Sequence, residues 1–339
     1  MLTGDRPALL HGSGCVDPQS DEASPSPLAV HDGDSGPGRS PAAILIGMET
    51  SNGEPWDVRG KTVLVTGGNS GIGKATVVEL VRRGAHVQFT SRSAAKGEAA
   101  LGEIQALATG PAAGTVQVRQ LDLASFQSID SFAKDLLDQV PALHVVVHNA
   151  GLIQTERRET VDGFELTFGT NHLGTFLLNQ LLLPRLRESA PARIVVVASN
   201  AHGRIKDGLD FDDLQSKLSY GAVDVYSASK LANILFTRQL AKRLAGSEVT
   251  ANCLHPGVVA SNFNADGGTG GMWGFAFKWL RPLLLSPTKG ARTSVHLCCE
   301  PAIGAVNGAI VASGPPAEMA VHLETLWMRL ASTQNSSDT

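Results

Sequence analysis

Tyr226 and Lys230 lie four residues apart in the run Tyr226-Ser227-Ala228-Ser229-Lys230. On a helix that step puts the phenol and the ammonium on one face, one turn apart. A neighbouring cation favours the phenolate and draws the tyrosine pKa down from its ordinary value of about 10. A weak acid tuned in this way can pass a proton near neutral pH. The pair reads as half of a reaction, the half that manages a proton.

A glycine-rich turn far upstream supplies the other half. Thr66-Gly67-Gly68-Asn69-Ser70-Gly71-Ile72-Gly73 follows directly on the apolar run Thr62–Val65 and opens a helical pattern. That strand-turn-helix context separates a dinucleotide site from a chance cluster of glycines. Gly67 permits the tight turn, Gly71 lets the backbone approach a pyrophosphate, and Gly73 allows close helix packing. The helix amides and dipole favour the phosphates. With a hydride carrier at the turn and a proton donor at Tyr226, the expected activity is that of a nicotinamide-dependent oxidoreductase.

Three further positions narrow the cofactor. Phe89-Thr90-Ser91-Arg92-Ser93, at the end of the second expected strand, has no acidic residue to hold a ribose 2′-hydroxyl. Arg92 stands where a 2′-phosphate needs a partner, and Lys74 adds positive charge, which favours NADP(H) over NAD(H). Asp122 and Leu123 follow the third strand, and Asn149-Ala150-Gly151 the fourth. Strand carboxyl ends are where open α/β sheets bind ligands. Asp122 also suits a helix cap, with Ser125 as a competitor for that job.

The elements that must position these residues are legible as alternation. Strands are expected at Thr62–Val65, His86–Thr90, Val116–Leu121, His144–Val147, Arg193–Ala198, Val249–Leu254 and Ala309–Val311. Helices are expected at Ile72–Arg83, Ala95–Leu107, Phe126–Gln139, Phe164–Arg187, Tyr226–Ala245 and Thr288–Cys299. Strands alternating with helical patterns imply βαβ units, hence a single Rossmann-type, doubly wound α/β domain with a parallel seven-stranded sheet over residues 56–330. Residues 1–55, rich in Gly, Ser, Pro and Asp, are expected to be a disordered leader, and 331–339 a disordered tail.

Composition excludes other classes. Hydrophobic residues make up 42% and charged residues 18% of the 339, enough for a buried core. Net charge is −4 with no basic block, so no nucleic-acid partner is expected. The four cysteines, Cys15, Cys253, Cys298 and Cys299, show neither disulfide spacing nor a metal-ligand pattern, so no metal is expected. The leader lacks the basic start and apolar block of a secretory signal, and no apolar run reaches the roughly 18 residues of a membrane span, so a cytoplasmic location is favoured.

Taken in order, Thr66-Gly67-x-x-x-Gly71-x-Gly73, Asn149-Ala150-Gly151, Asn171, Ser199, Tyr226-x-x-x-Lys230 and Pro256-Gly257 resemble the short-chain dehydrogenase/reductase family, over most of the chain. Asn171-His172-Leu173-Gly174, Phe211-Asp212-Asp213-Leu214-Gln215 and Ser229-Lys230-Leu231-Ala232-Asn233 look like its retinol dehydrogenase and WW-domain-containing oxidoreductase branch. The resemblance implies that Tyr226 is the general acid or base for a carbonyl/alcohol pair, and that Lys230 holds the nicotinamide ribose and lowers the Tyr226 pKa. It implies that Ser199 orients the substrate oxygen and that Asn171 holds a relay water next to Lys230. Thr66, Asn69, Ser70 and Ile72 would join the glycines around the cofactor. By the same resemblance Asp122 contacts the adenine, Asn149 to Gly151 line the riboses, and Pro256, Gly257 and Val258 face the nicotinamide, with Ser261 nearby. His148 departs from the family's usual Asn at that place and is expected to be a satisfied core or cofactor-proximal histidine.

On the substrate side, Asn262 to Gly271 is glycine-rich and precedes the apolar run Met272-Trp273-Gly274-Phe275-Ala276-Phe277-Lys278-Trp279-Leu280. A lid over a lipophilic substrate at about 262–287 suits that pattern, as do ordinary packing, a homodimer contact or shallow membrane association. The expected substrate is a retinoid, steroid or fatty aldehyde. The rival readings are a cofactor-binding regulatory or scaffold protein without turnover, which would not need Ser199, Tyr226, Lys230 and Asn171 together, and a nucleotide-sugar epimerase or dehydratase.

Overall fold

The computed structural model describes residues 56–257 and 285–312. The leader, the tail, Val258, Ser261 and nearly all of the expected lid lie outside the described residues.

Within them the apolar runs form β1 (Thr62–Val65), β2 (His86–Ser91), β3 (Val116–Gln120), β4 (Val145–His148), β5 (Ala192–Val197), β6 (Val249–His255) and β7 (Ile310–Ala312). Every pairing is parallel and the order is β3-β2-β1-β4-β5-β6-β7. Chain order reverses between β1 and β4, which places a crevice at the carboxyl ends of those two strands.

The central strands β1, β4 and β5 are mostly apolar, with Thr62, His148 and Arg193 as exceptions, because both faces are covered. Their side chains alternate between the two faces. Leu64, Val146, Ile194 and Val196 pack on one side with Ile129, Phe132, Leu136, Leu178, Leu182, Ile234 and Leu240. These come from α3 (Phe126–Gln139), α5 (Gly174–Glu188) and α6 (Ala222–Arg243). Val63, Val65, Val145, Val147, Val195 and Val197 point the other way, against Val77, Leu80, Ile104 and Leu297. Those belong to α1 (Gly71–Arg82), α2 (Ala94–Leu107) and α7 (Pro287–Cys299). Ser93, Ser125 and Ser286 cap α2, α3 and α7 by accepting the N–H groups of Lys96, Ser128 and Lys289. Among the described residues no helix is long and apolar enough to cross a membrane.

Two helices depart from the expected pattern. The single helix expected over Phe164–Arg187 is divided into a short turn, α4 (Leu166–Phe168), a π-helical turn over Gly169–Leu173, and α5. Its start is set by the buried Glu165 carboxylate, which accepts the Thr167 N–H at 2.9 Å and the Phe168 N–H at 2.6 Å. The π turn carries the chain past Leu123: a Cβ on Gly174 would sit 2.2 Å from the Leu123 carbonyl oxygen. π turns of this kind gather at functional sites, and this one holds Asn171. The second departure is α6, which begins at Ala222, one turn before Tyr226, with Asp224 in its positively polarised first turn.

Paired glycine substitutions test that close approach. Gly174→Ala should destabilise the fold by about 1–3 kcal/mol, since the methyl meets backbone rather than a movable side chain. Gly102→Ala in α2, where a Cβ meets nothing within 4 Å, should stabilise by about 0.5–1 kcal/mol. Urea midpoints of the two variants read both effects.

Candidate active site

The glycine turn is held from both neighbouring strands. Gly68 donates its N–H to the Thr90 carbonyl at 3.0 Å, and Gly67 donates to the Thr90 hydroxyl at 3.2 Å, both at the end of β2. On the other side the Thr66 hydroxyl oxygen accepts the N–H groups of Asn149 and Ala150, each at 3.0 Å. Asn149 answers by donating Nδ2 to the Thr66 carbonyl at 2.8 Å and to the Gly67 carbonyl at 3.3 Å. Gly67 has φ +63° and Gly71 φ +55°, the left-handed region that glycine enters at no steric cost. A Cβ on Gly73 would lie 2.3 Å from the Gly67 carbonyl oxygen and 2.5 Å from Asn149 Nδ2, so only glycine fits that corner. Ser70 occupies the N-cap of α1 without a side-chain cap. The turn has the shape and the helix N-terminus that a dinucleotide pyrophosphate requires.

The periphery of this site is mixed. Arg92 follows β2 directly and is exposed; its carbonyl accepts Gln120 Nε2 at 3.2 Å. Lys74 in α1 is ion-paired with Glu103 on α2, so a 2′-phosphate has to compete for that charge. Asp122 accepts the Ala124 N–H at 3.0 Å, while Ser125 takes the helix cap. Leu123 is buried beside it. Pro256 and Gly257 follow β6, with Gly257 at φ +79°.

The chemistry-bearing side chains converge beyond the carboxyl ends of β4 and β5. Ser199, two residues past β5, caps a 3₁₀ turn over Asn200–Arg204, its hydroxyl oxygen accepting the Ala201 N–H at 3.2 Å. It is hydrogen-bonded to Tyr226, which sits in the second turn of α6. Lys230, one turn on, is buried, donates Nζ to the Val197 carbonyl at 2.9 Å, and lies 5.6 Å from the centre of the Tyr226 ring. Gly151 is wedged between them and the π turn: a Cβ there would be 3.3 Å from Asn171 Oδ1 and 3.4 Å from Lys230 Nζ. Asn171 itself is fully buried. Its Oδ1 accepts the Leu152 N–H at 2.8 Å, and its Nδ2 donates to the Leu152 carbonyl at 2.9 Å and to the Ser229 hydroxyl at 3.1 Å.

Electrostatics corrects one expectation. Burial pushes the Tyr226 phenol up to about 12, with the Ser199 hydrogen bond opposing, rather than down toward neutrality. Burial also brings the Lys230 ammonium down to about 8. In this interior each charged form loses more hydration than the other returns at their separation, so desolvation outweighs the pair's attraction. His148 is a core histidine, 2% exposed, but only half satisfied: its Nε2 lies 3.2 Å from Asn179 Oδ1, its buried Nδ1 has no partner among the described residues, and burial lowers its pKa to about 4. Among the described residues no group of His, Cys, Asp or Glu is arranged to hold a metal.

Sequence reasoning gave no structural job to several residues that brace the site. Tyr220 donates its hydroxyl to the Gln154 carbonyl at 2.9 Å, and the Glu165 N–H donates to Gln215 Oε1 at 2.8 Å. These bonds tie the long connection after Ser199 to the loop after β4 and to the start of α4. Asn233, which the sequence placed in a motif without a role, bonds the Asn171 carbonyl.

The sequence profile described as short chain dehydrogenase matches residues 61–209 and 213–269. The chain belongs to the short-chain dehydrogenase/reductase family. It is 45% identical over 281 residues to retinol dehydrogenase 14 of Homo sapiens, covering 76% of this chain and 79% of the relative. Retinol dehydrogenase 12 of Mus musculus is 46% identical over 243 residues, covering 70% and 73%. A short chain dehydrogenase from Burkholderia cenocepacia J2315, solved in complex with NADP, superposes with a TM-score of 0.60 at 25% identity, covering 78% of this chain and all of that one. As a member of this family the chain is an NAD(P)-dependent oxidoreductase acting on CH–OH groups.

The burial of Lys230 makes a pH prediction. Its native pKa, about 8, lies below the ordinary lysine value of 10.5 expected when the chain is unfolded. Between those two values the unfolded chain holds the extra proton, so stability rises with pH across that window. Relative to Lys230→Met, the wild-type urea midpoint should therefore climb from pH 8 to pH 10. A flat difference would place the ammonium in contact with solvent.

Proposed function

We propose that the chain interconverts a carbonyl and an alcohol on a lipophilic substrate of the retinoid, steroid or fatty aldehyde class, with NADP(H) preferred over NAD(H). The observation that carries this reading is a chain of contacts, Ser199 to Tyr226, Tyr226 to Lys230, and Lys230 with Asn171 about Gly151, one strand from the glycine turn. The names of the relatives, retinol dehydrogenases 12 and 14, support the substrate class, and the NADP complex of the Burkholderia enzyme supports the cofactor.

The cofactor, when bound along Thr66–Gly73 and Asn149–Gly151, supplies or accepts the hydride at the substrate carbon. The protein handles the rest. In reduction Ser199 and Tyr226 hold the carbonyl oxygen by hydrogen bonds, and Tyr226 transfers its phenolic proton to that oxygen as the alcohol forms. Lys230, held against the Val197 carbonyl, favours the phenolate left on Tyr226 and would hydrogen-bond the ribose hydroxyls of a bound cofactor. Asn171 holds the relay that returns the proton. A phenol near 12 is a weak donor to a neutral carbonyl, and it gives up its proton as negative charge develops on the substrate oxygen. Arg92 supplies the positive charge for a 2′-phosphate. Phe176 of α5 and Leu235 of α6, 42% and 41% exposed, give these two helices apolar side chains against which a second copy of the chain would pack.

Two measurements test the reading. NADPH oxidation against retinal, steroid ketones and long-chain aldehydes should show turnover that Tyr226→Phe lowers by about 10²-fold or more. Wild type that binds NADPH yet turns over no panel member faster than the Phe variant would favour the regulatory alternative. Arg92→Ala should lower the NADPH-to-NADH ratio of kcat/KM by about tenfold, and an unchanged ratio removes Arg92 from cofactor choice.

A further inference from the structure

The polar stripe of α6 does not end at Lys230. Asn233 and Thr237 continue it toward the core, 2% and 0% exposed. A buried amide costs stability unless its donors and acceptors are matched, a requirement that a leucine side chain does not bring. Asn233 is matched on both sides. Its Nδ2 donates to the Asn171 main-chain carbonyl at 3.0 Å, and its Oδ1 lies 3.0 Å from His172 Nδ1. An amide oxygen cannot donate, so this bond puts the imidazole proton on Nδ1. His172 is held in turn among the rings of Phe168, Phe236 and Phe176, with centroids 5.3, 6.3 and 6.4 Å away. Burial lowers its pKa against the pull of Asn233, which keeps it a neutral donor.

Asn171 carries this constraint forward. Its carbonyl is gripped from behind by Asn233, while its side chain grips both main-chain groups of Leu152 and the Ser229 hydroxyl. Gly151 lies in the narrow space between that carboxamide and Lys230. We propose that Asn233 is a positioning residue for the reaction: with its amide plane fixed by His172, it pins the π turn at Asn171 so that Asn171, Gly151 and Lys230 keep one spacing. Its consequence for turnover rests on the proposed function above; the spacing is a property of the chain alone.

Asn233→Leu fills the space and removes both bonds. Asn233→Asp keeps the acceptor for His172 and turns a second oxygen against the Asn171 carbonyl. His172→Phe leaves Asn233 in place and frees its amide. The expected result for Asn233→Leu and Asn233→Asp is a fall in kcat of about tenfold or more with KM for the carbonyl substrate within about threefold. The limb of the pH–rate profile should move as well. In the substrate-free protein, carrying lysine labelled with 13C at Cε, the Lys230 resonance should titrate at a different pH from wild type. His172→Phe should show the same changes at smaller size, and serves if Asn233→Leu does not fold. Variants that match wild type in rate, pH profile and Lys230 titration while losing only melting temperature overturn the proposal, since Asn233 then serves the fold alone. Should wild type turn over no substrate, the proposed function fails and the Lys230 titration decides this inference by itself: a moved titration supports it and an unmoved one overturns it.

Discussion

A lysine ammonium held inside a protein is the constraint around which this fold is arranged. Lys230 has given up its hydration, and the Val197 carbonyl at the end of β5 is its bond partner at 2.9 Å. Desolvation of an ammonium costs several kcal/mol in protein interiors, so its surroundings cannot be left to chance. α6 must pack against β5 and β6 with its polar stripe reaching the carboxyl end of β5. The loop after β4 must pass within van der Waals reach of Nζ, which is why Gly151 has no side chain to offer. The same burial that weakens the ammonium raises the Tyr226 phenol. At about 8 Lys230 remains mostly an ammonium at neutral pH, while the Tyr226 phenol, at about 12, stays neutral, so the resting site holds its one charge on the lysine.

The glycine turn is bound to that constraint through one hydroxyl. Thr66 accepts two N–H groups from the loop that carries Gly151, and Asn149 returns two bonds to the turn. The place for a pyrophosphate and the place for a proton donor are thus set by one hydrogen-bonded unit at the β1/β4 crevice. Shifting either loop alone would leave buried polar groups unpaired, at about 1–3 kcal/mol each. Rigid coupling of this kind lets a reaction that needs sub-ångström alignment be run by two loops far apart in sequence.

What the sequence disclosed follows from what periodicity can encode. The strands carry continuous apolar runs because both faces are buried, and each was placed to within a residue or so. α3 was bounded at Phe126 and Gln139 because Ser125 marks its start and its apolar residues recur at helical spacing. The π turn was not legible: Thr170 to Leu173 reads as ordinary helix, and its widening depends on a contact with Leu123 that no local pattern announces. Lys74 read as a free positive charge because its partner, Glu103, lies on the next helix. Asn149 read as a ribose contact, and its side chain is spent on the glycine turn. Asn233 was visible in its motif, and its spacing from Lys230 on one helical face was the signal; its partner, the carbonyl of a turn not yet recognised, was not. The phenol pKa was misjudged for a related reason, since spacing gives the distance between two charges and says nothing of their hydration.

The connection from Ser199 to Tyr226 shows how the two hydrogen-bonding groups of the site can be set independently. Ser199 is fixed by the strand it follows and by the 3₁₀ turn it caps, with His202 Nδ1 at 2.7 Å from its carbonyl. Tyr226 is fixed by α6. The chain between them makes a long excursion whose far side is anchored at Gln215 to the start of α4 and at Tyr220 to the loop after β4, with Leu209 and Leu214 packed beside Phe168 and Val225. Since neither end depends on the excursion's exact course, Phe211 and Leu218, 77% and 87% exposed, can change without disturbing the Ser199–Tyr226 bond. Chemistry is held by the sheet and α6, and the excursion is where a different substrate surface can be built on the same reaction.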